Sequence, residues 1–452
     1  RHVGQVVFYN TLGSGVGALV GAVALVPLFG LMQSFKAVAL LQVLTGGLFV
    51  WLERRREFAD VKYKRLAVIA AAVGVLVVLL PLHWDQKIMN SGMYYYAASY
   101  KVWDKLKAHM DERRLLAIYE GREATVTVQQ DAGSKFFTVN GKVDGGDGGD
   151  MQTQVLLGQL PILLHPDPQK VLVIGLGTGV TTATVSRYAP SSVETVEISP
   201  EVVKASRHFS FVDFAGGQSR NRLHVRDARN FLLVNGTEYD VIISEPSNPW
   251  QVGNANLFTL DFFKLVQTRL SRGGVFCQWI PVYDLGEKEI KSIIKTFIEV
   301  FPYSHIFIEK GNLFILGSEA QIQYDYQLVN ARLLAHYSGA SLSHILNAAD
   351  LLAKYYLFSS EIAREYSKDA QLNTDIKPVV EYSPRHNIAQ RNFEASAATT
   401  RENLFAMIDH HKQSLPIDNL GSSEAEIKKN IANILEQFAS RRKDFTRLRE
   451  QN

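Results

Sequence analysis

Residues Val171–Gly179 read Val-Leu-Val-Ile-Gly-Leu-Gly-Thr-Gly, an apolar β-branched run that breaks into a glycine-rich turn before a helix-like stretch. About twenty residues further on comes Val196-Glu197-Ile198, a second strand carrying an acid at its end. This pairing constrains the chain to a doubly wound α/β sheet. The glycines let backbone approach a ligand closely, and a carboxylate at the next strand end accepts from ribose hydroxyls. An adenine nucleoside is therefore the expected occupant.

The chain has 452 residues, enough for two or three domains, and a formal charge of only +3, which gives no reason to expect nucleic acid as a partner. Its single cysteine, Cys277, excludes an internal disulfide framework and any multi-cysteine metal site. The setting Gly-Val-Phe-Cys-Gln-Trp reads as a buried strand, with Cys277 as a small core hydrophobe. No metal site is expected.

Val3–Phe35, Ala37–Leu52 and Leu66–Leu82 carry no charged residue. Membrane-spanning helices need about 17–25 apolar residues, so these runs read as about three spans over residues 1–83, in a lipid bilayer of the bacterial inner membrane type. Gly13, Gly15, Gly17 and Gly21 fall on small-residue spacings suited to close helix packing in lipid. The chain opens at Arg1 inside apolar sequence, so further spans are expected before it. Two inferences collide over sidedness. The loop with Arg54, Arg55, Arg56, Lys62, Lys64 and Arg65 belongs inside by the positive-inside rule, which puts everything after His83 outside. Supply of a nucleoside-type ligand favours the cytoplasm.

Residues 84–150 read as an interfacial linker, with Tyr94, Tyr95 and Tyr96 in an aromatic belt, and a small β-domain. There Ala124–Gln129 and Lys135–Val139 alternate around a Gln130-Asp-Ala-Gly turn, followed by Asn140-Gly-Lys-Val-Asp144. Met151–Leu164 reads as an amphipathic helix stopped by His165-Pro-Asp-Pro. Residues 151–327 hold the α/β core. Strands are expected at 171–175, 193–198, 222–225, 239–244, 274–279, 304–308 and 312–316, with helices at 179–188, 200–207, 259–270 and 286–300. Such alternation predicts a parallel sheet covered on both faces. Residues 328–452 read as mainly helical. Ser423-Glu-Ala-Glu426 is a capping box opening an amphipathic stretch through Ile427, Ile431, Ile434 and Phe438. His410 and His411 read as solvated surface.

Open parallel sheets bind ligands beyond the carboxyl ends of their strands. Four such ends carry polar signals: the Gly175-Leu-Gly-Thr-Gly179 turn, Glu197, Asp227 followed by Ala228, and Ser244-Glu-Pro-Ser-Asn-Pro-Trp250. Any one acid is explained by a helix cap. Four in register are not, and they predict a nucleoside site.

With these residues assembled, the stretch from about Ala124 to Gly317 resembles the spermidine synthase (polyamine aminopropyltransferase) family. The preceding apolar runs resemble its membrane-fused bacterial branch. The resemblance is carried by Asn140–Asp144, Thr153-Gln154, Leu164-His-Pro-Asp-Pro, Gly175–Thr181, Ser244–Trp250 and Asn373-Thr-Asp-Ile-Lys-Pro-Val-Val-Glu-Tyr382. It implies an α/β Rossmann-like core of the class I methyltransferase and spermidine synthase type, preceded by a small β-domain and transmembrane helices and followed by a helical region. It also implies transfer of an aminopropyl group from decarboxylated S-adenosylmethionine to an amine or polyamine, and a homodimer.

Carried over by motif, Gln154, Gly175, Gly177, Thr178, Gly179, Glu197, Asp227 and Ala228 would bind the donor, with Glu197 on the ribose and Asp227 on the adenine. Glu245 and Asn248 would stand in the catalytic loop, and Asp144, Thr153, Ser247, Trp250 and Tyr283 on the acceptor side. Asp375 and Glu381 match the branch's tail and would dock it on the core. The departures lie at three positions. Thr178 stands where the family's glycine turn has an Asp. Asn248 stands for the second Asp of its D-x-x-D-P loop, and an amide cannot take a proton usefully. Thr153 replaces a Tyr. The donor pocket looks retained and the acceptor pocket rebuilt. Two other readings stay open: a membrane-bound methyltransferase using S-adenosylmethionine itself, and a non-catalytic nucleoside or polyamine sensor.

Overall fold

The computed structural model describes residues 2–53, 84–100, 103–212, 214, 220–251, 253–283, 285–336 and 347–382, with positions 68–69, 71–72, 74–76, 403–404 and 417–418 beyond them. The chain divides into two compact units, Arg1–Gly133 with Phe137–Val143, and Ser134–Phe136 with Asp144–Asn452.

In the first unit the apolar N-terminal sequence is helical over His2–Val20 and Val26–Glu53, joined by a π-helical turn at Gly21–Leu25. Sequence alone separates two spans at Lys36, but the helix breaks at Gly30. There Leu31 donates its freed backbone N–H to the Glu120 carboxylate (2.9 Å), and the Ser34 hydroxyl donates to the Gly30 carbonyl (2.6 Å). Among the described residues one apolar helix, Val3–Leu48, is long enough to cross a membrane. The basic stretch Arg54–Arg65 and most of the third run, Leu66–Leu82, lie outside the described residues.

The small sheet runs β1 (Arg114–Glu120), β2 (Thr125–Asp131), β3 (Ser134–Val139) and β4 (Lys142–Gly146), in that order. The alternating segments are two of these strands. Asn140 and Gly141 both take positive φ, the tight-turn geometry that an Asn-Gly pair favours.

The second unit is built on an eight-stranded sheet. Its strands are β5 (Lys170–Ile174), β6 (Ser192–Glu197), β7 (Asn221–Val225), β8 (Tyr239–Ser244), β9 (Leu270–Pro281), β10 (Tyr303–Glu309) and β11 (Asn312–Ser318), with an eighth, β13 (Tyr356–Ser359), at its edge. A two-residue β12 (Tyr324–Asp325) pairs elsewhere, with β14 (Ile417–Asp418). The order is β13-β10-β11-β9-β8-β5-β6-β7, and β5 to β9 are parallel. Order therefore reverses between β5 and β8, the crevice where doubly wound sheets bind ligands.

One expectation needs correction. The sheet is mixed, because only Lys310 and Gly311 connect β10 to β11, and so short a link permits only antiparallel pairing. The described residues after 328 are mostly helical, with two short strands, β13 and β14, among them. Tyr356–Ser359 forms β13, antiparallel to β10 at the sheet edge, between helices Ala348–Tyr355 and Ser360–Ser367. The capping box, its amphipathic stretch, His410 and His411 lie outside the described residues.

Strand alternation divides the core. Ile174, Ile242, Phe276 and Ile315 face Phe262, Phe263 and Phe297 from helices Leu260–Gln267 and Glu287–Val300, with Phe301 just past the second. Val173, Ile243, Cys277 and Phe314 face Leu156, Leu157 and Leu160 of the helix Met151–Leu164. Each such side chain contributes about 1.5–3 kcal/mol on full burial. Cys277 is the core hydrophobe its sequence setting implies. The helix Met151–Leu164, read as amphipathic, is buried all round from Thr153 to Leu164. Helices Val180–Arg187 and Tyr326–His336 also pack on it, leaving no wet face. Its C-terminal carbonyls find a donor in Arg332, whose guanidinium bonds the oxygens of Ile162 (2.7 Å) and His165 (2.6 Å).

Candidate active site

The four polar signals stand at neighbouring strand ends, in the sheet order β8-β5-β6-β7. After β5 the chain turns through Gly175, Gly177 and Gly179, all at positive φ. Gly175 is the tightest position. At φ +95° any Cβ there would lie 2.3 Å from the Glu245 carbonyl oxygen, so the turn and the loop after β8 touch backbone to backbone. Glu197 ends β6 and curls beneath the turn. Its carboxylate accepts from the backbone N–H of Leu176 (3.0 Å) and of Ser199 (2.9 Å). Burial pushes the Glu197 carboxyl up, against the lowering effect of those N–H bonds. Asp227 follows β7 and caps the helix Ala228–Val234, accepting from the Asn230 N–H (2.8 Å), while Ala228 is buried. The helix-cap explanation of this acid is therefore met by one of its oxygens.

The loop after β8 supplies Glu245, partly exposed, and Asn248, fully buried. The Thr181 hydroxyl, in the first turn of the helix Val180–Arg187, donates to Glu245 Oε2 (2.6 Å) and also lies 3.1 Å from the Gln154 carbonyl. Burial pushes the Glu245 carboxyl up to about 7; the Thr181 bond opposes this, and the charges of Asp144 and Asp150 add to it. A carboxylate tuned to neutrality is suited to take a proton at physiological pH.

Gln154 is committed to bracing the site. Its amide nitrogen donates to the Gly146 carbonyl (2.9 Å) and to the Asp150 carbonyl (3.3 Å), and its amide oxygen accepts from the buried Thr178 hydroxyl. Thr178 thus serves as a neutral link between turn and helix. Asp144 is bonded by the Ser247 hydroxyl, which ties the loop after β8 to the end of β4. Trp250 is partly exposed in that loop, and Tyr283 packs on Gly311.

Thr153 lies beside Gln154 but reaches another group. Its hydroxyl donates to Glu309 Oε2 (3.0 Å) at the end of β10, and Asn312 Nδ2 donates to the same hydroxyl (3.2 Å). Trp279 Nε1 fixes Asn312 by donating to its Oδ1 (2.9 Å). Glu309, Asn312, Thr181 and Asp150 were not singled out in the sequence. Glu309 could have been found by applying the strand-end rule to β10. Among the described residues, no group of three or more His, Cys, Asp and Glu side chains is placed to hold a metal ion.

Asp375 pairs with Arg229 through two bonds (2.9 and 2.6 Å) and accepts from the Thr259 hydroxyl (2.7 Å). Buried Asn373 donates to the Phe258 carbonyl (2.9 Å). This part of the tail docks on the core.

Residues 150–309 match the spermine/spermidine synthase domain. The polyamine aminopropyltransferase of Streptococcus uberis is 26% identical over 208 residues, 45% of this chain and 72% of that protein. That of Thermotoga petrophila is 30% identical over 159 residues, 34% of this chain and 52% of that protein, so the match spans only about half of this relative. A solved spermidine synthase in complex with the transition state analogue AdoDATO aligns with a TM-score of 0.48 at 18% identity, covering 56% of this chain and 87% of that one. Residues 150–309 of this chain thus match the spermine/spermidine synthase domain and are similar to the polyamine aminopropyltransferases.

Proposed function

We propose that this chain is a membrane-anchored transferase that moves an aminopropyl group from decarboxylated S-adenosylmethionine to an amine. The observation that carries the reading is Glu245, a carboxyl pushed up to about 7 in the loop that touches the glycine turn. The turn Gly175–Gly179, Glu197 and Asp227 would hold the adenosine, with the sulfonium over the loop after β8. The neutral acceptor nitrogen attacks the carbon beside sulfur and the C–S bond breaks. Its electron pair stays on sulfur, giving methylthioadenosine, and the proton on the new ammonium passes to Glu245. Asn248, an amide, shapes the loop and takes no proton. The apolar helix Val3–Leu48 supports the anchor.

The test is methylthioadenosine release by the purified chain from decarboxylated S-adenosylmethionine and a panel of amines. Release abolished by Glu245→Gln supports the reading, and silence across the panel removes it. The methyltransferase reading has one observation in its favour, the neutral Thr178 where the family has an acid. Calorimetry with both donors separates the two, since preference for the decarboxylated donor excludes methyl transfer as the main activity. Turnover lost in Glu245→Gln also argues against a sensor.

A further inference from the structure

The helix Val3–Leu48 is too long for one crossing. At 1.5 Å per residue it reaches about 69 Å, more than twice the hydrocarbon thickness of a bilayer. The break at Gly30 divides it, and Leu31 to Leu48 covers about 27 Å, close to one hydrocarbon core. Two contacts then fix the direction of the chain beyond. Gly74, in the third uncharged run, lies against the Val43 side chain with no room for a Cβ. Further on, the Trp84 ring lies 5.7 Å from that of Phe35. Residue numbers rise along one side as they fall along the other, so the chain comes back antiparallel to Leu31–Leu48, in a helical hairpin.

One end of this hairpin has the chemistry of a membrane surface. Glu120, the last residue of β1, accepts from the Leu31 N–H that the break sets free. Lys36 follows Phe35, and Asp85 follows Trp84 and caps the helix Gln86–Met89. A carboxylate and a lysine are costly in hydrocarbon, and an indole settles at the lipid–water boundary. Beyond this level Ala37–Leu52 carries no charge, and Val38, Leu40, Leu41, Leu44 and Leu48 are exposed, which suits lipid as their partner. Charge resumes in the sequence at Glu53, Arg54, Arg55 and Arg56, one bilayer thickness away.

Resting on the membrane-anchored reading, we propose that the small β-sheet and the synthase-like domain stand on the extracytoplasmic face of the membrane, the surface marked by Glu120 at the helix break. The segment Arg54–Arg65 holds six Lys and Arg residues, whereas residues 30–52 and 84–100 hold only Lys36 and Lys87. The positive-inside rule keeps the six in the cytoplasm. The hairpin then puts Gly30, Trp84 and the end of β1 on the other face. From Trp84 to residue 150 the sequence has no uncharged run of spanning length, so the domain at 150–309 follows on that same face. Of the two arguments over sidedness, the one from cytoplasmic supply yields. The crevice draws nucleoside and amine from the outer side, and a transport step across this membrane must supply any nucleoside made in the cytoplasm.

The single cysteine of the chain, Cys277, is buried, so introduced cysteines report alone. Arg56→Cys and Glu123→Cys, the second at an exposed position between β1 and β2, are made separately in the full chain and expressed in a bacterial inner membrane. Spheroplasts are treated with a membrane-impermeant maleimide before and after permeabilisation, and membranes are washed with alkaline carbonate. Glu123→Cys is expected to label in intact spheroplasts, Arg56→Cys only after permeabilisation, and the chain to stay in the membrane fraction. Wild-type chain, labelled in parallel, is expected to stay dark throughout. The reverse pattern, or the same accessibility at both positions, overturns the assignment and leaves the anchor standing. Release of the chain by carbonate removes the anchor and the assignment together. Neither result depends on whether the purified chain releases methylthioadenosine, so failure of the transferase reading is seen separately.

Discussion

Glu245 makes a prediction that separates its environment from its chemistry. A carboxyl that titrates at 4.5 in the unfolded chain and at about 7 in the folded one keeps its proton longer when folded. Between those values the native state binds more protons than the unfolded state, so stability falls as pH rises from about 4.5 to 7 and is flat above. At about 1.4 kcal/mol per pH unit the difference is about 3 kcal/mol; partial exposure reduces it to about 2–3 kcal/mol. Glu245→Gln keeps an oxygen to accept from Thr181 and removes the titration. Urea unfolding of wild type and variant in detergent, followed by tryptophan fluorescence, gives the stability difference at pH 5 and at pH 8. The variant should gain about 2–3 kcal/mol on the wild type between the two, since other titrating groups cancel. The same substitution should lower kcat at least 100-fold and remove the limb of the pH–rate profile near 7, the scale of general base catalysis. An equal stability difference at both pH values would mean that Glu245 titrates normally, and the argument for it as base would go with it.

Three further outcomes follow from the geometry. Gly175→Ala should cost about 1–3 kcal/mol for the positive φ alone, and more because the Cβ meets the Glu245 carbonyl; methylthioadenosine affinity in calorimetry should fall with it. Asp375→Asn should destabilise by about 1–2 kcal/mol by breaking the two-bond contact with Arg229, and limited proteolysis should then cut the tail between Asn373 and Tyr382 faster. Asn248→Asp puts an acid at a fully buried position and should destabilise by at least about 2 kcal/mol at pH 8 but less at pH 5, read in the same urea titration, without raising turnover.

Local grammar made much of the second unit legible. β5 to β8 fall within a residue or so of their expected positions: β5 and β8 carry apolar runs ended by a glycine or polar turn, and β6 and β7 carry apolar residues spaced by polar ones. The helix expected at 259–270 is shorter, Leu260–Gln267, since Leu270 already pairs with Tyr239 as β9. What sequence concealed was set by partners distant along the chain. Tyr356-Leu-Phe-Ser359 reads as part of a helical tail until β10 offers it an edge. Met151–Leu164 looks amphipathic until two more helices cover its remaining face. Glu309 went unnoticed because its bond to Thr153 joins residues far apart along the chain. Gln154 and Thr178 were named for the donor, and geometry adds that they are bonded to each other.

The departures at Thr178 and Asn248 make physical sense together. Asp144 and Asp150 already push the Glu245 carboxyl upward, and only the Thr181 hydroxyl pulls it back. An acid in the glycine turn and a second acid in the loop after β8 would each add a like charge and raise it further, out of the range where a base works at neutral pH. With neutral groups at both positions, the Glu245 carboxyl is held at about 7. In the family pattern charge is shared between a donor-side acid and two loop acids. Here the donor-side link is a hydroxyl–amide bond and the loop retains one carboxylate.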